Sequence, residues 1–175
     1  VQTCALPILA LALSRVRKGA LSVALIDRAH TSTDDRAFAF SAGSRRFLDA
    51  LGLWDQIAPE AQPVREMVIT DSRLNDPIRP VFLTFGGEAA QGEPVAHMIP
   101  ESAVLRALQA AIAASSVHVI EGVVDDAIAD EAGTTLHLSD GQTYRANLLA
   151  ACDGARSRLR EKAGIGWHFW SYKQS

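Results

Sequence analysis

The spacing of apolar residues predicts helices and strands that alternate along the chain. Residues 8–16 are apolar and rich in helix formers, and apolar residues recur at helical spacing in residues 41–52 and 101–114, so each segment is predicted to be a helix. Residues 21–27 and 117–120 are short apolar runs of the kind that form strands. Helices that alternate with strands indicate an α/β protein.

Two groups of strand-like runs add antiparallel structure to this pattern. Residues 67–71 and 80–85 are separated by turn residues and predict an antiparallel insertion. Residues 123–129, 134–138 and 142–145 are also separated by turns and predict a β-meander. The meander leads into a further apolar run, which begins at position 147.

The first helix, the strand after it and the acid that ends this strand are typical of the second half of a dinucleotide-binding βαβ unit. In such a unit Asp27 accepts hydrogen bonds from ribose hydroxyls; the alternative is that Asp27 simply ends a strand. The glycines of the G-x-G-x-x-G turn belong at positions that hold Val1, Thr3 and Leu6. Either the phosphate site is degenerate, or residues 1–8 are a non-native junction on a truncated reading frame, which is the explanation we favour.

The segment at residues 147–160 changes abruptly from apolar to charged. Residues 147–152 have the pattern of a strand buried on both faces in a parallel sheet. Asp153 is suited to cap the helix that follows, and Gly154 lets the backbone approach a ligand closely. Three arginines follow at once: Arg156, Arg158 and Arg160. This turn is a candidate ligand site at the carboxyl edge of a sheet, or else a capped turn beside a solvated basic helix.

Composition narrows the possible functions. A chain of 175 residues that is 48% hydrophobic is long enough for one good-sized core, and its formal net charge of −3 gives no electrostatic case for binding nucleic acid. Cys4 and Cys152 are too few for a disulfide framework, and the five histidines are too far apart to suggest a metal site. No apolar run reaches the roughly 18 residues of a membrane span, so we expect a cytoplasmic protein.

Four motifs resemble those of the flavoprotein aromatic hydroxylases of the para-hydroxybenzoate hydroxylase type, and particularly the ubiquinone-biosynthesis hydroxylases. They are the first helix and strand (residues 9–27), the D-x-R…LGLW pattern (residues 34–54), the loop at residues 96–101 and the DG fingerprint (residues 152–160). The resemblance runs from Leu9 to Gln174. It implies an α/β, Rossmann-like FAD-binding fold that is incomplete, because the first strand and the Gly-rich turn are missing, with an inserted antiparallel β-meander and part of a β-sheet substrate domain.

The resemblance also implies how the chain is divided. The expected parts are a non-native junction (1–8), the first part of the FAD-binding domain (9–64), a partial substrate-domain insertion (65–99), the second part of the FAD-binding domain (100–166) and the start of a truncated substrate domain (167–175).

The matching positions imply cofactor contacts, and no catalytic side chain is expected. By resemblance, Asp27 holds the adenosine ribose of FAD and Arg36 contacts the phosphate–ribose side of the flavin. From the residues alone, a surface pair with Asp34 or Asp35 is the alternative for Arg36. Glu101 stands where the family usually has an amide or an arginine that touches the cofactor.

The DG fingerprint implies a second set of contacts. Asp153 and Gly154 are expected to serve both FAD and the pyrophosphate of the reducing nucleotide. Arg156 and Arg160 are expected to support that turn, with a solvated surface face as the alternative. His97, in the loop before the third predicted helix, is expected to be a structural or edge residue and not a catalyst.

The activity that the resemblance implies is hydroxylation of an aromatic ring by an FAD-dependent monooxygenase of ubiquinone biosynthesis. The substrate is expected to be a phenol or a polyprenyl phenol, with O2 as the oxidant and NAD(P)H as the reductant. The cofactor carries this chemistry, so no nucleophile, triad or metal is needed. A polyprenylated substrate suits a peripheral association with the inner membrane or with a biosynthetic complex.

Two other functions remain open. One alternative is that the chain comes from another branch with the same fingerprint, such as a different phenolic monooxygenase or a polyprenyl reductase. The other is that the chain is a non-catalytic module without a cofactor. For the 175-residue chain itself we expect a cofactor-free module, because the central strand and the phosphate turn are missing.

Overall fold

The computed structural model describes residues 5–16, 21–28, 36–73, 75–154 and 156–171. The helices in these residues are α1 (Ala5–Arg15), α2 (Ala42–Ala50), α3 (Trp54–Ile57), α4 (Glu101–Ala113) and α5 (Arg158–Lys162). A short 3₁₀ helix, Ala58–Glu60, follows α3. In the part of the chain described, no helix is both long enough and apolar enough to cross a bilayer.

The strands are numbered in the order in which they occur along the chain. They are β1 (Ala24–Asp27), β2 (Ala37–Ser41), β3 (Gln62–Val64), β4 (Glu66–Thr70), β5 (Val81–Gly86), β6 (Glu88–Ala90), β7 (Glu93–Pro94), β8 (Ala96–Pro100), β9 (His118–Glu121), β10 (Val124–Asp130), β11 (Gly133–Leu138) and β12 (Thr143–Ala146).

The chain divides into two compact units, and the first consists of Val1–Thr31 together with Ser115–Ser175. Its centre is the parallel pair β1–β9, on which α1 packs. A parallel pair needs a long connection between its strands. Here the connection is residues 28–117, between the end of β1 and the start of β9. The predicted first helix and both predicted strands are confirmed, although α1 begins at Ala5, within the segment that we assigned to a non-native junction.

The predicted β-meander is also confirmed in the first unit. β10, β11 and β12 form an antiparallel sheet in sequence order, with Leu136 and Leu138 buried on one face. At the β10–β11 turn, Gly133 has a φ of 137°, a conformation that side-chain-bearing residues rarely adopt. This backbone conformation explains why the turn contains a glycine.

The predicted strand at residues 147–152 is wrong. This segment is irregular in the structure, and Leu148 is 81% exposed. A parallel strand needs a neighbour for its N–H and C=O groups, and none of the described strands pairs with this segment. Cys152, the last residue of the predicted strand, is half-buried.

The second unit, Ser32–Ala114, is built around the antiparallel sheet β2–β8–β3. The predicted helices α2 and α4 are confirmed, while β2 and β3 were not expected. Ser41 caps α2 by accepting a hydrogen bond from the Ser44 N–H at 3.2 Å. Apolar side chains from the helices, from the residue before α3 and from β8 are almost fully buried and form the core of this unit: Leu48, Leu53, Ile57, Ile99, Val104 and Leu108.

The predicted antiparallel insertion is confirmed as the hairpin β4–β5, in which Glu66 aligns with Gly86 and Ile69 with Leu83. Both faces of the hairpin are exposed.

Candidate functional site

Asp27 is the last residue of β1 and lies beside Glu121, the last residue of β9. Its side chain is half-buried, and its Oδ1 accepts a hydrogen bond from the Arg28 N–H at 2.9 Å. The Asp27 carbonyl accepts a hydrogen bond from the Gly122 N–H at 2.9 Å, which extends the pairing by one residue. The carboxyl ends of two parallel strands therefore carry two acids, and Asp27 can accept hydrogen bonds from a ligand's hydroxyl groups.

Asp153 and Gly154 form a turn that is joined by hydrogen bonds to the start of α5. The Ser157 N–H donates to the Gly154 carbonyl at 3.1 Å, and the Leu159 N–H donates to Asp153 Oδ2 at 3.4 Å. Gly154 has a φ of 87°, in the left-handed region that favours glycine. The turn and the helix are thus one local structure.

The N-cap of α5 is Ser157, whose Oγ accepts a hydrogen bond from the Arg160 N–H at 2.9 Å. The predicted capping residue was Asp153, which instead accepts a hydrogen bond from the Leu159 N–H, one residue before Arg160 in the same first turn. Ser157 was missed in the sequence, although a serine directly before a charged, helix-compatible segment is a recognised start signal.

The second oxygen of Asp153, Oδ1, is buried and has no hydrogen-bond partner among the described residues. Burial acts to raise the pKa of this carboxyl, but hydrogen bonds from Ser157 and from the backbone N–H groups of Leu159, Asp153 and Arg158 lower its pKa below the ordinary value. A charged carboxylate with a buried, unused acceptor is costly unless a donor reaches it. Among the described residues, Asp153 Oδ1 is therefore a buried acceptor that still lacks a donor.

The arginines of the turn have different surroundings. Arg156 is exposed. Arg160 is half-buried, and its guanidinium lies 5.8 Å from the centre of the Trp167 ring, within the range of a cation–π contact. The turn therefore carries positive charge on both sides of Ser157.

Arg36 and Glu101 are brought together by the β2–β8 ladder in the second unit. The Glu101 N–H donates to the Arg36 carbonyl at 2.9 Å. The Glu101 side chain is only 5% exposed, at the start of α4, whereas Arg36 is exposed and its guanidinium lies 5.6 Å from the centre of the Phe38 ring. The alternative pairing of Arg36 with Asp34 or Asp35 lies outside the described residues.

The N-terminal turn of α1 carries Leu6 where the third glycine of a phosphate-binding turn would stand. Leu6 is half-buried, and the other two glycine positions, Val1 and Thr3, lie outside the described residues. A side chain at this point hinders the close approach of a pyrophosphate to the helix N-terminus. The described residues thus fit the sugar and turn contacts of a dinucleotide better than its phosphate contacts.

His97 lies in β8, and its ring meets that of Trp54 edge to face at 5.1 Å between centroids. Its Nδ1 is buried without a hydrogen-bond partner among the described residues. Burial and the charge of Arg45 lower the pKa of His97, and the opposing effect of Glu93 is smaller. The lowered pKa favours a neutral ring, and the structural role expected for this histidine stays a prediction.

Comparisons with known proteins agree with this fold. Residues 8–171 match the family model described as the FAD binding domain. The chain is 34% identical over 144 residues to "Ubiquinone hydroxylase UbiL" of Rhodospirillum rubrum, an alignment that covers 81% of this chain and 32% of that protein. It is 28% identical over 151 residues to "3-demethoxyubiquinol 3-hydroxylase" of Escherichia coli, covering 84% of this chain and 37% of that protein.

The fold is also found in solved structures. The crystal structure of p-nitrophenol 4-monooxygenase PnpA from Pseudomonas putida aligns with a TM-score of 0.73 at 21% identity, over 90% of this chain and 40% of that one. The chain spans about a third of the length of the two curated relatives. Since the family model matches almost the whole of this chain, the chain belongs to the FAD-binding domain family.

Proposed function

We propose that this chain forms the nucleotide-binding part of an FAD-dependent monooxygenase that hydroxylates the aromatic ring of a phenol in ubiquinone biosynthesis. The family supports FAD as the cofactor. The names of the two curated relatives support ring hydroxylation and a quinone-type substrate. NAD(P)H as the reductant and a polyprenyl phenol as the substrate are further parts of the proposal.

The observation that carries the proposal is the buried Oδ1 of Asp153, which has no hydrogen-bond partner among the described residues. A sugar hydroxyl or phosphate-bound water of a dinucleotide supplies the missing donor. Gly154, with its positive φ and no Cβ, leaves the backbone of the same turn open to a ligand. A turn that merely capped a helix would not need the second carboxylate oxygen to be buried.

The other site residues contribute binding contacts. Asp27 accepts hydrogen bonds from the adenosine ribose, and Arg36 contacts the phosphate–ribose side through its exposed guanidinium. Glu101, which is buried and bonded to Arg36 through the backbone, is a further proposed contact. Arg156 and Arg160 supply positive charge at the Asp153 turn. When bound, FAD supplies the electron transfer and the activation of O2 that aromatic hydroxylation requires.

Titration with FAD, followed by quenching of tryptophan fluorescence, tests the proposal. We expect Asp153→Asn to weaken FAD binding by about tenfold or more, since hydrogen bonds to charged groups contribute about 1.5–3 kcal/mol. Asp125→Asn, at an exposed carboxylate of β10, is the matched control and should bind as the unchanged chain does. Equal affinity of the two variants for FAD would show that Asp153 does not contribute to the binding site.

A second candidate function, a non-catalytic module without cofactor, is favoured by one specific feature. Leu6 occupies a glycine position of the phosphate turn. If the unchanged chain shows no saturable quenching with FAD and purifies without flavin absorbance, this candidate replaces the first for the chain as it stands.

The substrate class needs a separate test, because related branches of the family share the DG fingerprint. The protein is incubated with FAD, NAD(P)H, O2 and either a prenylated or an unprenylated phenol, and the products are identified by mass spectrometry. A product heavier by one oxygen atom supports the hydroxylase. Hydrogenation of the prenyl chain would favour a polyprenyl reductase, and turnover of unprenylated phenols alone would favour another phenolic monooxygenase.

The proposal extends to the organisation and location of the protein. Residues 9–64 and 100–166 are the proposed two parts of the FAD-binding domain. Residues 65–99 and 167–175 are the proposed pieces of a substrate domain. A cytoplasmic protein with a peripheral attachment to the inner membrane or to a biosynthetic complex fits a polyprenyl substrate. Sedimentation with vesicles of bacterial phospholipid tests the attachment to a membrane.

A further inference from the structure

The helix α5 is too short to be stable alone. It has five residues, and none of them is buried. Isolated helices of fewer than about 12 residues are marginal in water because nucleation is costly. Since the Asp153 turn is hydrogen-bonded to the first turn of α5, the turn keeps its shape only if α5 is held by another part of the fold.

An ion pair joins α5 to the meander. Lys162 Nζ, in the last turn of α5, donates to Asp126 Oδ1 in β10 at 2.5 Å, and α5 packs against β10. Asp126 Oδ1 also accepts a hydrogen bond from the Ala127 N–H at 3.0 Å. The hydrogen bond from Lys162 is the largest contribution that lowers the pKa of Asp126, so this carboxyl stays ionised at neutral pH.

A β-bulge in β10 accounts for the direction of the Asp126 side chain. Val124 aligns with Leu138 and Asp126 with His137, so Asp125 has no partner and β10 contains a β-bulge at this point. A bulge adds one residue to a strand and re-aims the side chains beside it. Here it lies next to the residue that receives Lys162.

We propose that the Lys162–Asp126 pair is a tether that positions the Asp153–Gly154 turn for binding the dinucleotide. Lys162 and Asp126 are positioning residues and do not touch the ligand. Their effect reaches the turn through α5, whose first N–H groups bind Asp153 and Ser157. The link between the tether and nucleotide binding rests on the proposed function, whereas the tether itself does not.

The first test measures amide hydrogen exchange in the full chain by NMR. In Lys162→Met we expect the Leu159 and Arg160 N–H groups to exchange roughly two- to fivefold faster, the range that an exposed ion pair supports. The matched control is Arg145→Met, which removes an exposed pair with Asp130 in the same meander and should leave these two groups unchanged. Equal exchange in the two variants would overturn the proposal.

A charge reversal separates positioning from loss of packing. Asp126→Lys combined with Lys162→Glu restores the attraction with opposite signs, and we expect exchange at Leu159 and Arg160 to return toward that of the unchanged chain. High salt should raise the exchange of the unchanged chain but not that of Lys162→Met. If the double variant exchanges as fast as either single variant, the charge of the pair is not what holds the turn.

The second test follows FAD by tryptophan quenching in the same variants. We expect Lys162→Met to weaken FAD binding roughly two- to fivefold at an unchanged melting temperature, and Lys162→Arg to restore it. An unchanged affinity in Lys162→Met would overturn the link to nucleotide binding. If the unchanged chain itself binds no FAD, the proposed function fails for this chain, while the exchange experiment still decides whether the tether exists.

Discussion

The N–H of Glu101, the first residue of α4, donates to the carbonyl of Arg36, the residue before β2, at 2.9 Å. This bond continues the β2–β8 ladder, in which Ala37 aligns with Pro100. The ladder thereby brings the backbone of the exposed Arg36 next to that of Glu101, a residue that is almost fully buried. Backbone hydrogen bonding between β2 and β8 therefore makes neighbours of two candidate site residues that are far apart in the sequence.

Replacing the buried member of this pair should destabilise the second unit. We expect Glu101→Ala to lower the free energy of unfolding by about 1–3 kcal/mol, since it removes a buried side chain and a favourable acid in the first turn of a helix. Urea denaturation measures the change. Glu131→Ala, at an exposed turn residue, should alter stability by less than about 0.5 kcal/mol, and an equal loss in both variants would contradict the assigned role.

The Asp153 carboxyl should contribute to acid stability. Its folded pKa is lowered, so its contribution is fully present above the unfolded pKa of about 3.9 and is lost as the pH falls through the lower, folded pKa. We therefore expect Asp153→Asn to show a weaker loss of stability than the unchanged chain at the acid end. Unfolding measured by circular dichroism at a series of pH values below 5 tests this; parallel curves would show that Asp153 makes no contribution.

His97 should produce a second pH dependence nearer to neutrality. Because burial and Arg45 lower its folded pKa, the unfolded chain binds a proton first as the pH falls below about 6.5. The chain then loses stability until the folded pKa is passed. We expect His97→Gln to remove this slope and His168→Gln, at an exposed histidine, to retain it. Chemical denaturation between pH 5 and 8 distinguishes the two variants.

Gly133 should tolerate no side chain. A Cβ at this position would lie 2.5 Å from the Ala146 carbonyl oxygen, and its φ of 137° is already unfavourable for other residues. We expect Gly133→Ala to cost roughly 2–4 kcal/mol of stability. Gly141→Ala is the control, since its φ is also positive but nothing lies within 4 Å of an added Cβ. A loss at Gly141 as large as at Gly133 would show that backbone strain alone is responsible.

Local sequence patterns predicted much of the secondary structure. The helical spacing of Leu105, Leu108 and Ile112 predicted α4, and the turn residues between apolar runs predicted the three strands of the meander. Asp27 was expected at the end of a strand and lies there. These features depend on neighbours within a few positions along the chain, which a sequence displays directly.

The apolar run at residues 147–152 predicted a buried strand, and this prediction is wrong for a physical reason. Apolar character is required for a buried parallel strand but does not supply one, because the strand also needs a hydrogen-bonded neighbour. No described strand pairs with this segment, and Leu148 is therefore left exposed. Strand β2 was missed although Phe38 and Phe40 alternate with small residues, a pattern typical of a strand. The alternation is only five residues long, and pairing with β8 stabilises the strand.

The sequence by itself determined which chemical groups this protein offers: an acid after the first strand, a DG turn followed by arginines, and the amphipathic helix that begins at Glu101. Only the tertiary structure decided which of them meet. It joined Glu101 to Arg36 through a ladder, buried Oδ1 of Asp153 without a partner in the described chain, and anchored α5 through Lys162. The type and spacing of residues can be read from short stretches of sequence. These contacts, in contrast, depend on pairing between residues that are distant in the sequence.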